Sequence, residues 1–354
     1  MIGPIEINAL KIFILSLLSF LLSFFSAPFL IRFLYYYKLW KKKVREVAID
    51  GNRASVFFKL HKDKEVGTPR MGGLLIWVPI IILAFLFSFL SHFNFFWFQK
   101  LNFLSREQTW LPLAALSIAS LLGLVDDILQ VFGRGKYIGG GLDLKIRFFI
   151  IFLIGLVGGW WFYSKLGVDT IFIPILKINL KLGILLIPFF IIVTLACWAG
   201  GVIDGLDGLA GGSFLPIFGA FMIIAFSRMQ YNLASLCGAL LGSLLAFLWY
   251  NLPPAKFYMG ETGMMGLCIV LAVISFLTDS VAVLPIIGGL LVIEVGSVLI
   301  QLFSKKFLKR KIFLSSPIHH HLEAIGWQRE TIVMRFWILG FIFALLGVVI
   351  RLLK

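Results

Sequence analysis

The chain has 354 residues, of which 60% are hydrophobic and only 14% charged, with a formal net charge of +15. A mean hydropathy of +1.00 excludes an ordinary soluble domain and marks a polytopic membrane protein. The positive balance does not call for nucleic acid as a partner, because Lys and Arg collect in cytoplasmic loops against anionic lipid headgroups.

A bilayer core needs about 20 apolar residues per helix. On that basis ten spans are expected, near 10–35, 71–91, 110–126, 145–163, 183–199, 210–228, 233–250, 263–279, 281–303 and 333–353. The first apolar run is too long for a signal-peptide core and reads as a retained helix. Between the fourth and fifth spans, Thr170–Leu182 alternates apolar and polar residues around Pro174, as a short external hairpin would. A tight turn near Asp279 separates the eighth and ninth spans. The ninth holds Gly288, Gly289 and Gly296 with Glu294 inside it, so a kink or break is expected there. Cys197, Cys237 and Cys268 lack metal-ligand spacing and read as packing residues without a disulfide. The expected fold is one all-α domain over residues 1–354 with about ten transmembrane helices.

Charge orients these spans. The loop between spans one and two carries Lys38, Lys41, Lys42, Lys43, Arg45, Arg53, Lys59, Lys62, Lys64 and Arg70. The loop between spans nine and ten carries Lys305, Lys306, Lys309, Arg310, Lys311 and Arg329, whereas even-numbered loops are sparse in charge. The positive-inside bias places odd loops in the cytoplasm and both termini on the periplasmic side. Trp97, Trp110, Trp160 and Trp161 fall near the outer ends, as an interfacial aromatic belt would.

The odd loops then share one surface, and they hold the acids Asp126, Asp127, Asp204, Asp207 and Glu261. Ionisable groups at membrane depth are functional candidates by default. Acids gathered at one face suggest a divalent cation holding a phosphorylated substrate. Adjacent Asp126 and Asp127 diverge from a helix end, so one can bind a cation while the other meets a second substrate. A merely solvated helix end is the competing reading, although acids there oppose the dipole. Asp204 and Asp207, three apart, share a face on a helical turn, and an N-cap before a glycine-rich helix start competes. Glu261 lies between Gly260 and Gly263, where free N–H groups suit phosphate; a surface-loop acid is the alternative. Tyr258 can stack on a base or anchor at the interface. His319, His320 and His321 can donate to a diphosphate or simply line a solvated loop.

The segments Thr68-Pro69-Arg70-Met71-Gly72-Gly73, Val125-Asp126-Asp127, Asp204-Gly205-Leu206-Asp207-Gly208, Asn251 through Gly263, and Pro317-Ile318-His319-His320-His321-Leu322-Glu323 carry a resemblance. Together they resemble the polyprenyl-phosphate N-acetylhexosamine-1-phosphate transferase superfamily, and its muramoyl branch in particular, over nearly the whole chain. That resemblance implies attack by undecaprenyl phosphate on UDP-N-acetylmuramoyl-pentapeptide with loss of UMP. The reaction would run with Mg²⁺ in a bacterial inner membrane, as part of peptidoglycan synthesis. It assigns catalytic roles to Asp126, Asp127, Asp204 and Glu261, with Asp127, Asp204 and Glu261 as metal ligands. It assigns nucleotide or substrate contacts to Asp207, Asn251, Tyr258, His319, His320 and His321, with Arg134 and Lys136 near phosphate. A homodimer is implied on the same ground. The chain departs from the family pattern at Glu261 (usually Asp), Arg70 (usually Thr), Gly201 (usually Asn) and Met264 (usually Ser). These departures leave open a different N-acetylhexosamine donor. Glu294 and the helix count leave open a transporter or a non-catalytic lipid-carrier-binding protein.

Overall fold

The computed structural model describes residues 3–42, 66–135 and 140–353. Lys136 and the basic residues from Lys43 to Lys64 lie outside the described residues.

The first helix, α1 (Pro4–Tyr36), starts where Pro4 pre-sets the helical φ and the Glu6 carboxylate accepts from the Gly3 N–H at 2.7 Å. It is followed by α2 (Leu74–Leu90), the short α3 (Phe96–Leu101) and α4 (Trp110–Val131). Next comes α5 (Leu144–Ser164), which opens on Asp143 as N-cap, its carboxylate accepting from Lys145 N. The expected hairpin is present: β1 (Thr170–Ile173) pairs antiparallel with β2 (Ile178–Lys181), Thr170 opposite Lys181. The remaining helices are α6 (Leu186–Ala199), α7 (Leu209–Ser227), α8 (Tyr231–Asn251), α9 (Gly260–Leu277), α10 (Leu284–Ile287), α11 (Gly289–Phe303), α12 (Ile318–Ala324) and α13 (Arg329–Leu352).

Among the described residues, eight helices are long and apolar enough to cross a membrane alone. Counted as one span, the pair Val281–Ile287 and Gly289–Leu308 makes a ninth, bent by 78° at the glycines where a break was expected. The second expected span is the 17-residue α2. It starts later than expected because Gly72 and Gly73 donate to the carbonyls of Tyr258 and Met259 at 2.9 Å, and so join a loop-to-loop ladder. The three cysteines are free and buried.

The bundle is graded from centre to rim. In its most apolar window, 89% of α9 is buried inside the protein, against 22% for α1. Helix α4 lies along α9, α8 lies between α1 and α7, and α13 covers α7. Close approach of α4 to α9 sets up the site. A Cβ on Gly123 would stand 2.1 Å from the Glu261 carbonyl oxygen, so only glycine permits this crossing. Thr262 Oγ1 donates to Ser120 O at 2.9 Å across the same contact. Four residues beyond Gly123, the end of α4 therefore lies over the start of α9.

Candidate active site

Asp127 is fully buried and caps a helix that is not its own. Its Oδ1 accepts from Glu261 N at 3.1 Å and its Oδ2 from Thr262 N at 3.0 Å, the second and third N–H groups of α9. Negative charge is favoured at that helix end. Gly260 reaches this arrangement with φ +74, and a Cβ there would lie 2.3 Å from Asp127 Oδ2. Arg70 Nε also donates to Asp127 Oδ1, at 3.1 Å. Arg70 is held by the loop ladder: Tyr258 N donates to Pro69 O at 2.8 Å, and Arg70 N to Leu39 O at 3.0 Å.

Asp126 faces a different partner, as its divergence from Asp127 predicts. It accepts from Gln130 Nε2 at 2.7 Å and Leu142 N at 2.6 Å, and pairs with Arg147 Nη2 at 3.0 Å. Arg147 Nη1 donates to Glu261 Oε1 at 3.0 Å, so one guanidinium bridges Asp126 and Glu261. Sequence reasoning passed over Arg147. The available signal was an arginine three residues inside an apolar span, a costly place for charge without a partner. The Glu261 side chain keeps 27% of its surface exposed.

Asp204 ends a short 3-10 turn and is partly exposed. Burial of its carboxyl, with Glu261, Asp127 and Asp207 nearby and Arg70 opposing, pushes it up to about 7. Asp207 accepts from Ala255 N at 3.3 Å. Asn251 Oδ1 accepts from Gly208 N at 3.0 Å, and its Nδ2 donates to Phe257 O at 2.8 Å. These two residues, expected at the nucleotide, thus tie the 204–208 turn to the 251–258 loop. Tyr258 is partly exposed beside them.

The histidines sit on α12 against that turn. His319 Nδ1 meets Glu294 Oε2 at 2.9 Å, with both side chains fully buried. His320 Nδ1 meets Glu323 Oε2 at 3.2 Å, and Glu323 also pairs with Arg329. A carboxyl group at each Nδ1 fixes the ring's orientation, with Nε2 on the opposite edge. Both Nε2 atoms point to Gly205: a Cβ there would lie 2.2 Å from His319 Nε2 and 2.9 Å from His320 Nε2. Glu294, deep in the broken ninth crossing, is therefore explained by a histidine partner. His321 is used differently, accepting from Leu314 N at 3.2 Å. Arg134 is exposed on the turn after α4, and Lys136 lies outside the described residues.

Comparison with known proteins fits this arrangement. Residues 109–279 match the model of Glycosyl transferase family 4, a stretch that includes every acid of the set but neither Arg70 nor the histidines. The chain is 35% identical over 338 residues to the phospho-N-acetylmuramoyl-pentapeptide-transferase of Geobacillus sp. (strain WCH70), covering 95% of this chain and 96% of that protein. The enzyme of that name from Anoxybacillus flavithermus is 35% identical over 295 residues, 83% of this chain and 86% of that protein. That of Borrelia turicatae is 32% identical over 355 residues, 94% of this chain and 92% of that protein. The chain belongs to the phospho-N-acetylmuramoyl-pentapeptide-transferase family. It is a multi-pass membrane transferase.

Whether this family member's acids suit Mg²⁺ can be tested on their hydrogen bonds. Asp126 and Asp127 have both oxygens committed to arginine, amide or backbone donors. Among the described residues no three His, Cys, Asp or Glu side chains form a ready metal cluster. Asp204 and Glu261 remain, both partly exposed and close enough to feel each other's charge. Two carboxylates completed by waters and phosphate oxygens are what Mg²⁺ ordinarily takes. The fit is to that pair, with Asp127 accepting from the backbone N–H of Glu261.

Two expected results follow from this geometry. A Gly205→Ala protein should push both histidine rings off the turn, since overpacking costs roughly 1–3 kcal/mol. Its turnover should fall at least about tenfold while the bundle still unfolds cooperatively on heating; unaltered turnover would make the histidine contact dispensable. For Asp204, the folded pKa of about 7 lies above the unfolded value near 3.9. The folded state therefore holds its proton longer, and stability falls as pH rises between those values. In EDTA, Asp204→Asn should unfold a few degrees above the wild type at pH 8 and together with it at pH 4. Parallel curves at both pH values would refute the raised pKa.

Proposed function

We propose that the protein transfers phospho-N-acetylmuramoyl-pentapeptide from its UDP-linked donor to undecaprenyl phosphate at the cytoplasmic face of a bacterial inner membrane. One oxygen of the lipid phosphate bonds to the sugar-side phosphorus of the donor. The bridging P–O bond breaks, its electron pair leaves with UMP, and the lipid diphosphate sugar stays in the membrane. The observation that carries this reading is the convergence of five acids, two guanidiniums and an oriented histidine pair at one end of the bundle.

Each group has a task in that reaction. Asp204 and Glu261 would hold Mg²⁺, which neutralises charge on the transferring phosphate. Asp127 anchors the start of α9 and Arg70. With Nδ1–H on its carboxylate, each of His319 and His320 donates from Nε2 to the diphosphate as the imidazolium, and Tyr258 stacks on the uracil. A phosphate monoester is already anionic near neutral pH, so the acceptor needs no general base. Asp126, saturated by Arg147, Gln130 and Leu142, serves to hold Arg147.

The test is UMP release by purified protein in detergent, with undecaprenyl phosphate, with and without Mg²⁺. The muramoyl-pentapeptide donor and UDP-N-acetylglucosamine are run in parallel. Mg²⁺-dependent release from the muramoyl donor alone supports the reading. Release from the other donor alone assigns a different sugar, and no release from folded protein refutes transferase activity toward both.

A further inference from the structure

The acid cluster contains a cation of its own. Arg70 stands where the family pattern has a threonine, and its guanidinium lies against Asp127 at 3.1 Å. Asp127, Glu261 and Asp204 all act on its charge. The loop ladder through Pro69, Gly72 and Gly73 fixes its backbone on the 258–259 segment, which holds the root of the side chain within reach of Asp127. It keeps 16% of its surface exposed. Nε serves Asp127, and the rest of the fork's N–H donors sit on the terminal nitrogens, the geometry that suits phosphate oxygens.

We infer that Arg70 is a resident cation of the active site, which offsets the acids and binds the donor's diphosphate, so that the nucleotide can be held without a divalent ion. This rests on the proposed diphosphate donor. Two consequences follow from Coulomb's law at close range. A fixed positive charge beside Asp204 and Glu261 weakens their hold on free Mg²⁺. The same charge attracts a diphosphate even when Mg²⁺ is absent. A threonine at this position would reverse both.

The test uses full-length protein in detergent and isothermal titration with two probes, MgCl2 alone and UDP in EDTA. Arg70→Thr should bind Mg²⁺ at least about tenfold more tightly than wild type and bind UDP in EDTA at least about tenfold more weakly. Arg70→Lys, which keeps the charge, should stay within about threefold of wild type for Mg²⁺. Heat unfolding reports folding, and Arg70→Thr should keep a single cooperative transition. Equal Mg²⁺ affinity in wild type and Arg70→Thr, or UDP binding in EDTA that ignores the substitution, overturns the inference. If Arg70→Thr has lost binding under all conditions, Arg70→Lys decides alone: Mg²⁺ affinity raised like that of an uncharged site refutes a charge role. The predicted titrations in a wild type that releases no UMP would refute the transfer reaction and leave Arg70's role standing.

Discussion

Replacing Asp127 with Asn should lower UMP release by roughly 10²- to 10³-fold, the range for losing one electrostatic element of an active site. The carboxylate takes three donors: Arg70 Nε and Glu261 N on Oδ1, and Thr262 N on Oδ2. An amide has one acceptor oxygen, so either way it is turned its NH₂ faces an N–H group. Arg70 loses its countercharge and the first turn of α9 loses its cap. Breaking a buried ion pair from one side costs about 3–5 kcal/mol. Glu261, at the second position of α9, should then lose its placement. Heat unfolding and UMP release measured on the same preparation check both parts. Wild-type turnover in Asp127→Asn would remove Asp127 from the site.

Arg147→Met should be nearly as damaging, for a different reason. Its guanidinium joins Asp126 on α4 to Glu261 on α9, residues 135 positions apart in sequence, and each contact is 3.0 Å. Methionine fills the volume and leaves two carboxylates facing each other. Asp126 retains Gln130 and Leu142 N, so the stability loss should sit near the lower end of about 3–5 kcal/mol. Glu261 should swing away from its neighbour, and turnover should drop by about 10²-fold. Arg147→Lys separates charge from shape. A single ammonium cannot serve both acids as a fork does, so it should recover stability more than rate. Equal recovery of both would mean that charge alone matters at this position.

The pattern of departures from the family becomes intelligible beside these pairs. Glu261 is one methylene longer than the usual aspartate and reaches Arg147. Arg70 replaces a neutral residue and answers Asp127. Gly201 and Met264 are close neighbours, the Met264 methyl lying 3.8 Å from where a Gly201 Cβ would be. Their two polar-to-apolar changes therefore occur at one place.

How much was legible in advance depended on the range of the signal. Membrane spans are written in local hydropathy, and each expected stretch coincides with a helix. The break in the ninth crossing was carried by Gly288 and Gly289, and the hairpin by alternation around Pro174. The acids announced themselves because charge at a membrane helix end is costly without a partner. Alternation of loops was enough to gather Asp126, Asp127, Asp204, Asp207, Glu261 and the histidines at one end of the bundle.

What local pattern could not decide is who neutralises whom. Arg70 meets Asp127 across 57 positions, Arg147 meets Glu261 across 114, and Glu294 on α11 meets His319 on α12 across 25. No periodicity links such residues; they meet because Gly123 lets α4 settle against α9 and because Gly205 leaves room for two imidazoles. Asn251 shows the same limit, since its type suits a nucleoside while its position makes it the clasp between two loops. Composition and hydropathy therefore determined that this is a membrane bundle with an acidic end. Only tertiary packing decided which of those acids are held by arginine and which remain open to a substrate, because ion pairing depends on distances of a few ångströms between segments that the chain brings together last.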